Sequence, residues 1–73
     1  MMQQRQSVLV RFVGDGGEHE LTMAEGATIR EALLAVNLLP SLHIVSHDQQ
    51  VLPMTTALQG DVTLEVTRIA SGG

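Results

Sequence analysis

Apolar and polar residues alternate near both ends of this chain, and this alternation constrains the fold more than any other feature of the sequence. Apolar residues recur at every second position in two segments: Val8, Val10 and Phe12 in the first, and Val62, Leu64 and Val66 in the second. A period of two is the pattern of a β-strand that buries one face. Because these two segments alternate most clearly, we predict that they form strands that are central and adjacent in one sheet.

The segment after the first strand predicts a hairpin and then a helix. Residues 14–17, Gly-Asp-Gly-Gly, are typical of a turn, and residues 18–23 alternate again, so the first two strands should pair as a hairpin. Thr28 and Glu31 have the spacing of a capping box, which starts a helix. We expect that helix to run for about ten residues, with an apolar stripe on one side, and to stop before Pro40.

The rest of the chain predicts two shorter strands, at 42–46 and 51–52, before the last one. The order is therefore β-β-α-β-(β)-β, with the helix crossing one face of the sheet by a right-handed connection. This order predicts an α+β fold, a single β-grasp domain with a mixed sheet of four to five strands packed on one helix. We expect a disordered N-terminus at 1–6, the domain at 7–69 and a flexible tail at 70–73.

Composition excludes several classes of protein. The chain has 73 residues, enough for one domain. It has no cysteine, which excludes a disulfide scaffold, a Cys-type zinc site, an iron–sulfur cluster and a cysteine nucleophile. Its net charge is −4 and its four basic residues are scattered arginines, so no nucleic-acid footprint is predicted. With no apolar run long enough to span a membrane, we expect a soluble, cytoplasmic monomer.

The last two residues, Gly72 and Gly73, are the strongest functional signal. Glycine has no Cβ, so a tail of this kind can enter a narrow channel in another protein. A terminal carboxylate is an anion and a poor electrophile at neutral pH, so the Gly73 carboxyl must be activated before it can react. The sequence shows no catalytic triad and no phosphate-binding glycine loop. We therefore expect a carrier that is acted upon by an enzyme, and no catalytic residues.

The chain resembles the ubiquitin-like sulfur carriers ThiS and MoaD and, most closely, the small archaeal modifier proteins of the same lineage. The segments that carry the resemblance are 8–14, 28–33, 37–40, 48–53, 60–62 and 68–73. One departure is Asp48-Gln49-Gln50, where these carriers often have an Asn/Asp-Gly turn. A second is the absence of lysine, which precludes side-chain-linked chains of this protein on itself.

The resemblance implies a function for Gly73. An E1-like adenylating enzyme would use ATP to activate the Gly73 carboxylate, with no cofactor bound to the chain itself. The activated group would then become a thiocarboxylate, passed through a sulfurtransferase or sulfur-accepting enzyme to thiolated tRNA, molybdopterin or thiamine, or would form isopeptide bonds with lysines of target proteins. A non-covalent interaction module with an incidental diglycine is the alternative.

The sheet face opposite the helix is the expected docking surface for the partner enzyme. We place Leu9, His43, Val45, Thr67 and Ile69 on it, because clustered exposed apolar residues often mark interfaces. On this interpretation Val45→Asp weakens activation without changing the melting temperature. His43 and His47, beside Asp48, have a spacing of four but span a strand and its turn without a third ligand, so no metal site is predicted.

Overall fold

A computed structural model describes residues 6–69 of the chain, so the predictions for 1–5 and for the tail at 70–73 lie outside the described residues. The elements are β1 (Ser7–Gly14), β2 (His19–Ala24), α1 (Ile29–Ala35), a 3₁₀ turn (Pro40–Leu42), β3 (His43–His47), β4 (Gln50–Leu52) and β5 (Val62–Arg68). Gln6, assigned above to the N-terminus, accepts a hydrogen bond at its carbonyl oxygen from the Glu25 N–H (2.9 Å).

The five strands form one mixed sheet in the order β2-β1-β5-β3-β4. Strands β1 and β5 lie side by side and parallel near the centre, whereas the β1–β2, β3–β5 and β3–β4 pairs are antiparallel. The α+β class, the hairpin and the adjacent first and last strands are therefore confirmed. The parallel pair requires the crossover through α1, which places the helix on one face of the sheet.

The core lies between α1 and that face of the sheet. It is almost entirely aliphatic, with Phe12 as its one aromatic side chain. The buried apolar residues are Val8, Val10, Phe12, Ile29, Ala32, Leu33, Val45, Leu58, Leu64 and Val66. The inward faces predicted for β1, α1 and β5 are confirmed. These faces can be predicted because the spacing of nearby apolar residues determines which side of an amphipathic element is apolar.

Both ends of α1 follow from local sequence. The capping box is present: the Glu31 N–H donates to Thr28 Oγ1 (3.3 Å), and the Thr28 N–H donates to Glu31 Oε1 (2.9 Å). The helix has seven residues, fewer than expected, because it ends in a Schellman motif. Asn37 takes a left-handed φ of 65°, and the Leu38 N–H reaches back to the Leu33 carbonyl oxygen (2.9 Å).

The β3–β4 hairpin turns through two residues that both have positive φ, Asp48 at 53° and Gln49 at 67°. Positive φ at both central positions defines a type I′ turn, for which Asn-Gly and Asp-Gly are strongly preferred. Unlike glycine, glutamine has a Cβ, and its side chain is longer than that of asparagine. Its left-handed conformation therefore costs about 1–2 kcal/mol.

Gln49→Gly should therefore stabilise the protein. We expect the free energy of unfolding to rise by about 0.5–1 kcal/mol, because the relief of strain exceeds the entropy that glycine loses on folding. For a domain of this size, that corresponds to a rise of about 2–8 °C in melting temperature. The matched control is Gln50→Gly, since Gln50 belongs to β4 and glycine weakens a strand. Equal melting of the two variants would contradict the turn assignment.

Candidate functional site

The backbone at the carboxyl end of β5 is hydrogen-bonded on both sides. On the β1 side, the Asp15 N–H donates to the Val66 carbonyl oxygen (2.9 Å), and Asp15 Oδ2 accepts from the Arg68 N–H (2.9 Å). On the β3 side, the Ile69 N–H donates to the Leu42 carbonyl oxygen (2.8 Å). We call Val66, Arg68 and Ile69 the tail base, because residues 70–73, including Gly72 and Gly73, follow it in the sequence.

A cleft of about 260 Å³ lies beside the tail base. Its lining residues are Gly16, Asn37, Leu38, Leu39, Leu42, His43 and Arg68. His43 Nδ1 lies 2.8 Å from the Leu39 carbonyl oxygen, and since a carbonyl can only accept, Nδ1 carries the proton in this hydrogen bond. That bond spans the 3₁₀ turn, which contains the Leu42 carbonyl that accepts from Ile69.

The predicted outward orientation of His43 and Val45 is wrong. His43 is 8% exposed and Val45 is completely buried, and both lie on the helix side of the sheet. The register explains why: Val45 is opposite Val66 in the β3–β5 pair, and directly opposite residues project to the same face of a sheet. Since Val66 is in the core, Val45 must be there too.

Ile44 takes the outward position instead. It is opposite Thr67 across the β3–β5 pair, and Val51 lies on the next strand, opposite Ser46. Ile44, Val51 and Ile69 are among the exposed large apolar residues, and Thr67 is exposed as well. We call Ile44, Val51, Thr67 and Ile69 the outer patch. Of the predicted docking residues, Thr67 and Ile69 belong to it.

Leu9 is exposed on the same face of the sheet but lies far from the outer patch. Its N–H donates to Asp61 Oδ1 (2.8 Å), just before β5 begins. Thr67 is six positions further along β5 than Asp61, which corresponds to about 20 Å at the rise of a strand. The sequence places Leu9 on the correct face, and the register places it at the opposite end.

The histidines do not converge. His43 faces the core, whereas His47 is exposed and its Nδ1 lies 4.0 Å from Asp48 Oδ2. Within residues 6–69, no group of three His, Cys, Asp or Glu side chains could hold a metal ion. Over the same residues, no helix has the length and apolarity needed to cross a membrane.

Sequence reasoning missed Asp15, Leu42, Ile44 and Val51. Asp15 reads as an ordinary residue of a glycine-rich turn, and its partner Arg68 is 53 positions away, so no local signal links the two. Ile44 and Val51 lie in short strands that have apolar residues at consecutive positions, so both faces of each strand carry apolar side chains. Only the pairing register determines which phase faces outward.

Comparison with known proteins places the fold. No family model and no curated protein matches the chain. Among solved structures, the chain is similar to the ubiquitin of Caldiarchaeum subterraneum, with a TM-score of 0.71 and 18% sequence identity over 93% of this chain and 100% of that one. At this identity the likeness shows the fold. The chain has the ubiquitin-like β-grasp fold, and the tail base lies at the end of its central parallel strand pair.

Proposed function

We propose that this protein is a ubiquitin-like modifier or sulfur carrier whose reactive group is the Gly73 carboxylate. One observation carries the proposal: the diglycine Gly72-Gly73 follows within five residues of Arg68, the end of a central strand in a ubiquitin-like sheet. The fold supplies a domain that a partner can bind, and the residues after the tail base supply the carboxylate that we propose reacts. The chain itself acts as a substrate and binds no cofactor.

Activation requires an E1-like adenylating enzyme and ATP. An oxygen of the Gly73 carboxylate attacks the α-phosphorus of ATP, a P–O bond is formed, and pyrophosphate leaves. The product is an acyl adenylate in which AMP is the leaving group. Since the carboxylate alone is a poor electrophile at neutral pH, every later transfer depends on this step.

Two nucleophiles define two uses of the acyl adenylate. Hydrosulfide, supplied through a sulfurtransferase, attacks the Gly73 carbonyl carbon, releases AMP and a proton, and gives a thiocarboxylate that a sulfur-accepting enzyme can consume in tRNA thiolation or in molybdopterin or thiamine synthesis. A lysine amine of a target protein attacks the same carbon, releases AMP and a proton, and gives an isopeptide bond. We propose that one or both occur, in the cytoplasm and from a monomer.

We further propose that the activating enzyme docks on the outer patch. The outer patch includes Ile69 of the tail base, so an enzyme bound there contacts the residue that directly precedes the segment 70–73 in the sequence. Exposed apolar side chains of this kind, clustered near the reactive segment, are typical of protein interfaces.

Ile44→Ser should therefore weaken activation without unfolding the protein. We expect KM for the protein in the adenylation assay to rise about tenfold, the equivalent of about 1.4 kcal/mol of docking energy, with a melting temperature close to that of the wild type. Leu9→Ser is the matched control, since it removes a similar apolar side chain from the same face about 20 Å away. An equal KM for both variants would contradict docking on the outer patch.

Mass spectrometry of the protein from its own cells tests the proposed function. Trypsin cleaves after Arg68, and the peptide from Ile69 to Gly73 contains no methionine, so methionine oxidation cannot mimic the exchange of oxygen for sulfur. A thiocarboxylate at Gly73 supports the sulfur carrier. The same peptide branched onto lysines of other proteins supports the modifier.

The alternative is a module that binds partners without covalent chemistry. The same measurement separates it from the proposed function. The non-covalent module would be favoured if the free Gly73 carboxylate were the sole form in cells where the adenylating enzyme is active. A peptide that continues beyond Gly73 would favour it as well.

A further inference from the structure

We infer that Asp15 is a positioning residue for the activation of Gly73: its N–H and its carboxylate fix the tail base, to which the reactive end of the chain is joined in sequence. The inference rests on the proposed function, because it assigns Asp15 a role in presenting Gly73 to the adenylating enzyme. Asp15 lies in the β1–β2 turn and is distant in sequence from the tail.

The Asp15 carboxylate accepts a hydrogen bond from β5 that a further residue of β1 would accept if that strand were longer. Strand β1 pairs with β5 in parallel as far as Gly14, which is opposite Val66. The chain then turns away, so β1 offers no further carbonyl to the backbone of β5. The Arg68 N–H instead donates to Asp15 Oδ2 (2.9 Å), and a hydrogen bond to an ionised acceptor is stronger than one to a neutral carbonyl.

The preceding glycine brings Asp15 within reach. Gly14 has a φ of 108°, and a Cβ built on it would lie 2.5 Å from the Val66 carbonyl oxygen. Any side chain at this position would push the turn away from β5. With glycine there, the Asp15 N–H also reaches the Val66 carbonyl oxygen at 2.9 Å. Asp15 therefore bonds the backbone of β5 at two alternate residues on the side that faces β1.

These contacts lie at the surface, where their effect is local. Asp15 and Arg68 are both exposed, and neither belongs to the buried core. The opposite side of β5 keeps its own support, since the Ile69 N–H donates to the Leu42 carbonyl oxygen (2.8 Å). Removing the carboxylate should free the Arg68 N–H, whereas the bond from the Asp15 N–H to the Val66 carbonyl oxygen remains. The sheet and helix should stay folded, because exposed ends open independently of the core.

Two variants distinguish the hydrogen bond that the Asp15 carboxylate accepts from the negative charge that it carries. Asp15→Ala removes the acceptor for the Arg68 N–H, whereas Asp15→Asn removes the charge and keeps a side-chain oxygen that can accept. In amide hydrogen exchange followed by NMR, we expect the Arg68 amide to exchange at least tenfold faster in Asp15→Ala than in the wild type. The rate in Asp15→Asn should lie between those of Asp15→Ala and the wild type, because a neutral amide oxygen accepts more weakly than a carboxylate. The Leu64 amide should be unchanged in both variants.

The second measurement is adenylation by the purified E1-like enzyme of the same organism. An ATP–pyrophosphate exchange assay monitors this reaction. We expect Asp15→Ala to raise KM for the protein about five- to tenfold with little change in kcat, and Asp15→Asn to raise it by a smaller factor. Any one of three results would overturn this inference and leave the proposed function standing. They are a wild-type KM in Asp15→Ala, an unchanged exchange rate of the Arg68 amide in that variant, and an equal rise in KM in both variants. If the wild type is not adenylated at all, the proposed function fails and this inference with it.

Discussion

Val45→Asp is expected to leave little folded protein at 37 °C. Val45 is completely buried between the sheet and α1, and truncating or replacing a buried valine forfeits about 1.5–3 kcal/mol of burial. Placing a carboxylate there adds a desolvation penalty of several kcal/mol. A 73-residue domain has a total free energy of unfolding of only about 4–11 kcal/mol. The substitution therefore removes most or all of the stability.

The matched control is the next residue in the same strand. Ile44 is exposed on the opposite face of the sheet, so Ile44→Asp introduces the same charge at a position where water can solvate it. We expect that variant to melt within a few degrees of the wild type. Circular dichroism during thermal unfolding measures both variants. If the two variants melted alike, the orientation of β3 would be wrong.

The loss in Val45→Asp should also depend on pH. Burial raises the pKa of the new carboxyl above that of an unfolded chain, so the folded state binds a proton more readily than the unfolded state. The stability of the variant relative to wild type therefore falls as pH rises through that raised pKa, and part of it returns on acidification. Urea unfolding at pH 4 and pH 7, with wild type measured alongside, tests the sign.

Local signals in the sequence predict the elements but leave their relative orientation open. The capping box of Thr28 and Glu31, the apolar stripe of α1 and the alternation in β1 and β5 each depend on residues a few positions apart, and the structure has all of them. The predicted faces of β3 are wrong because Leu42, Ile44 and Val45 are all apolar, so the sequence has no clear alternation there. A strand of five residues with apolar side chains in both phases takes its orientation from its pairing with β5.

The contacts of the candidate site, like the orientation of β3, depend on residues that are far apart in the sequence. The contacts at the tail base join β5 to the β1–β2 turn and to the 3₁₀ turn before β3, and the Asp15–Arg68 bond spans 53 positions. Parallel pairing of β1 and β5 brings those segments together, and the sequence predicts that these two strands are adjacent. It contains nothing, however, that distinguishes a turn aspartate with a long-range role from one that merely favours the turn.

Deleting Gly73 is expected to abolish adenylation while leaving the domain as stable as the wild type. Among residues 6–69, the buried core is built from β1, α1, β3, β5 and Leu58, and the deletion changes none of these residues, so we expect an unchanged melting temperature. The shortened chain would place its carboxylate one residue short of the reacting phosphorus. Because displacement of a reacting group by even about 1 Å can cost a hundredfold in rate, we expect kcat/KM for adenylation to fall at least about a hundredfold.

Substitutions within the same tail distinguish length from bulk. Gly72→Val keeps the length but adds a branched side chain that a narrow channel would exclude, and it should be nearly as inactive as the deletion. Ser71→Ala removes only a hydroxyl from the neighbouring position and should retain most of the activity. ATP–pyrophosphate exchange with the purified adenylating enzyme measures all three variants. Wild-type exchange by the chain lacking Gly73 would show that the Gly73 carboxylate is not the activated group, and the carrier and modifier roles would both have to be abandoned.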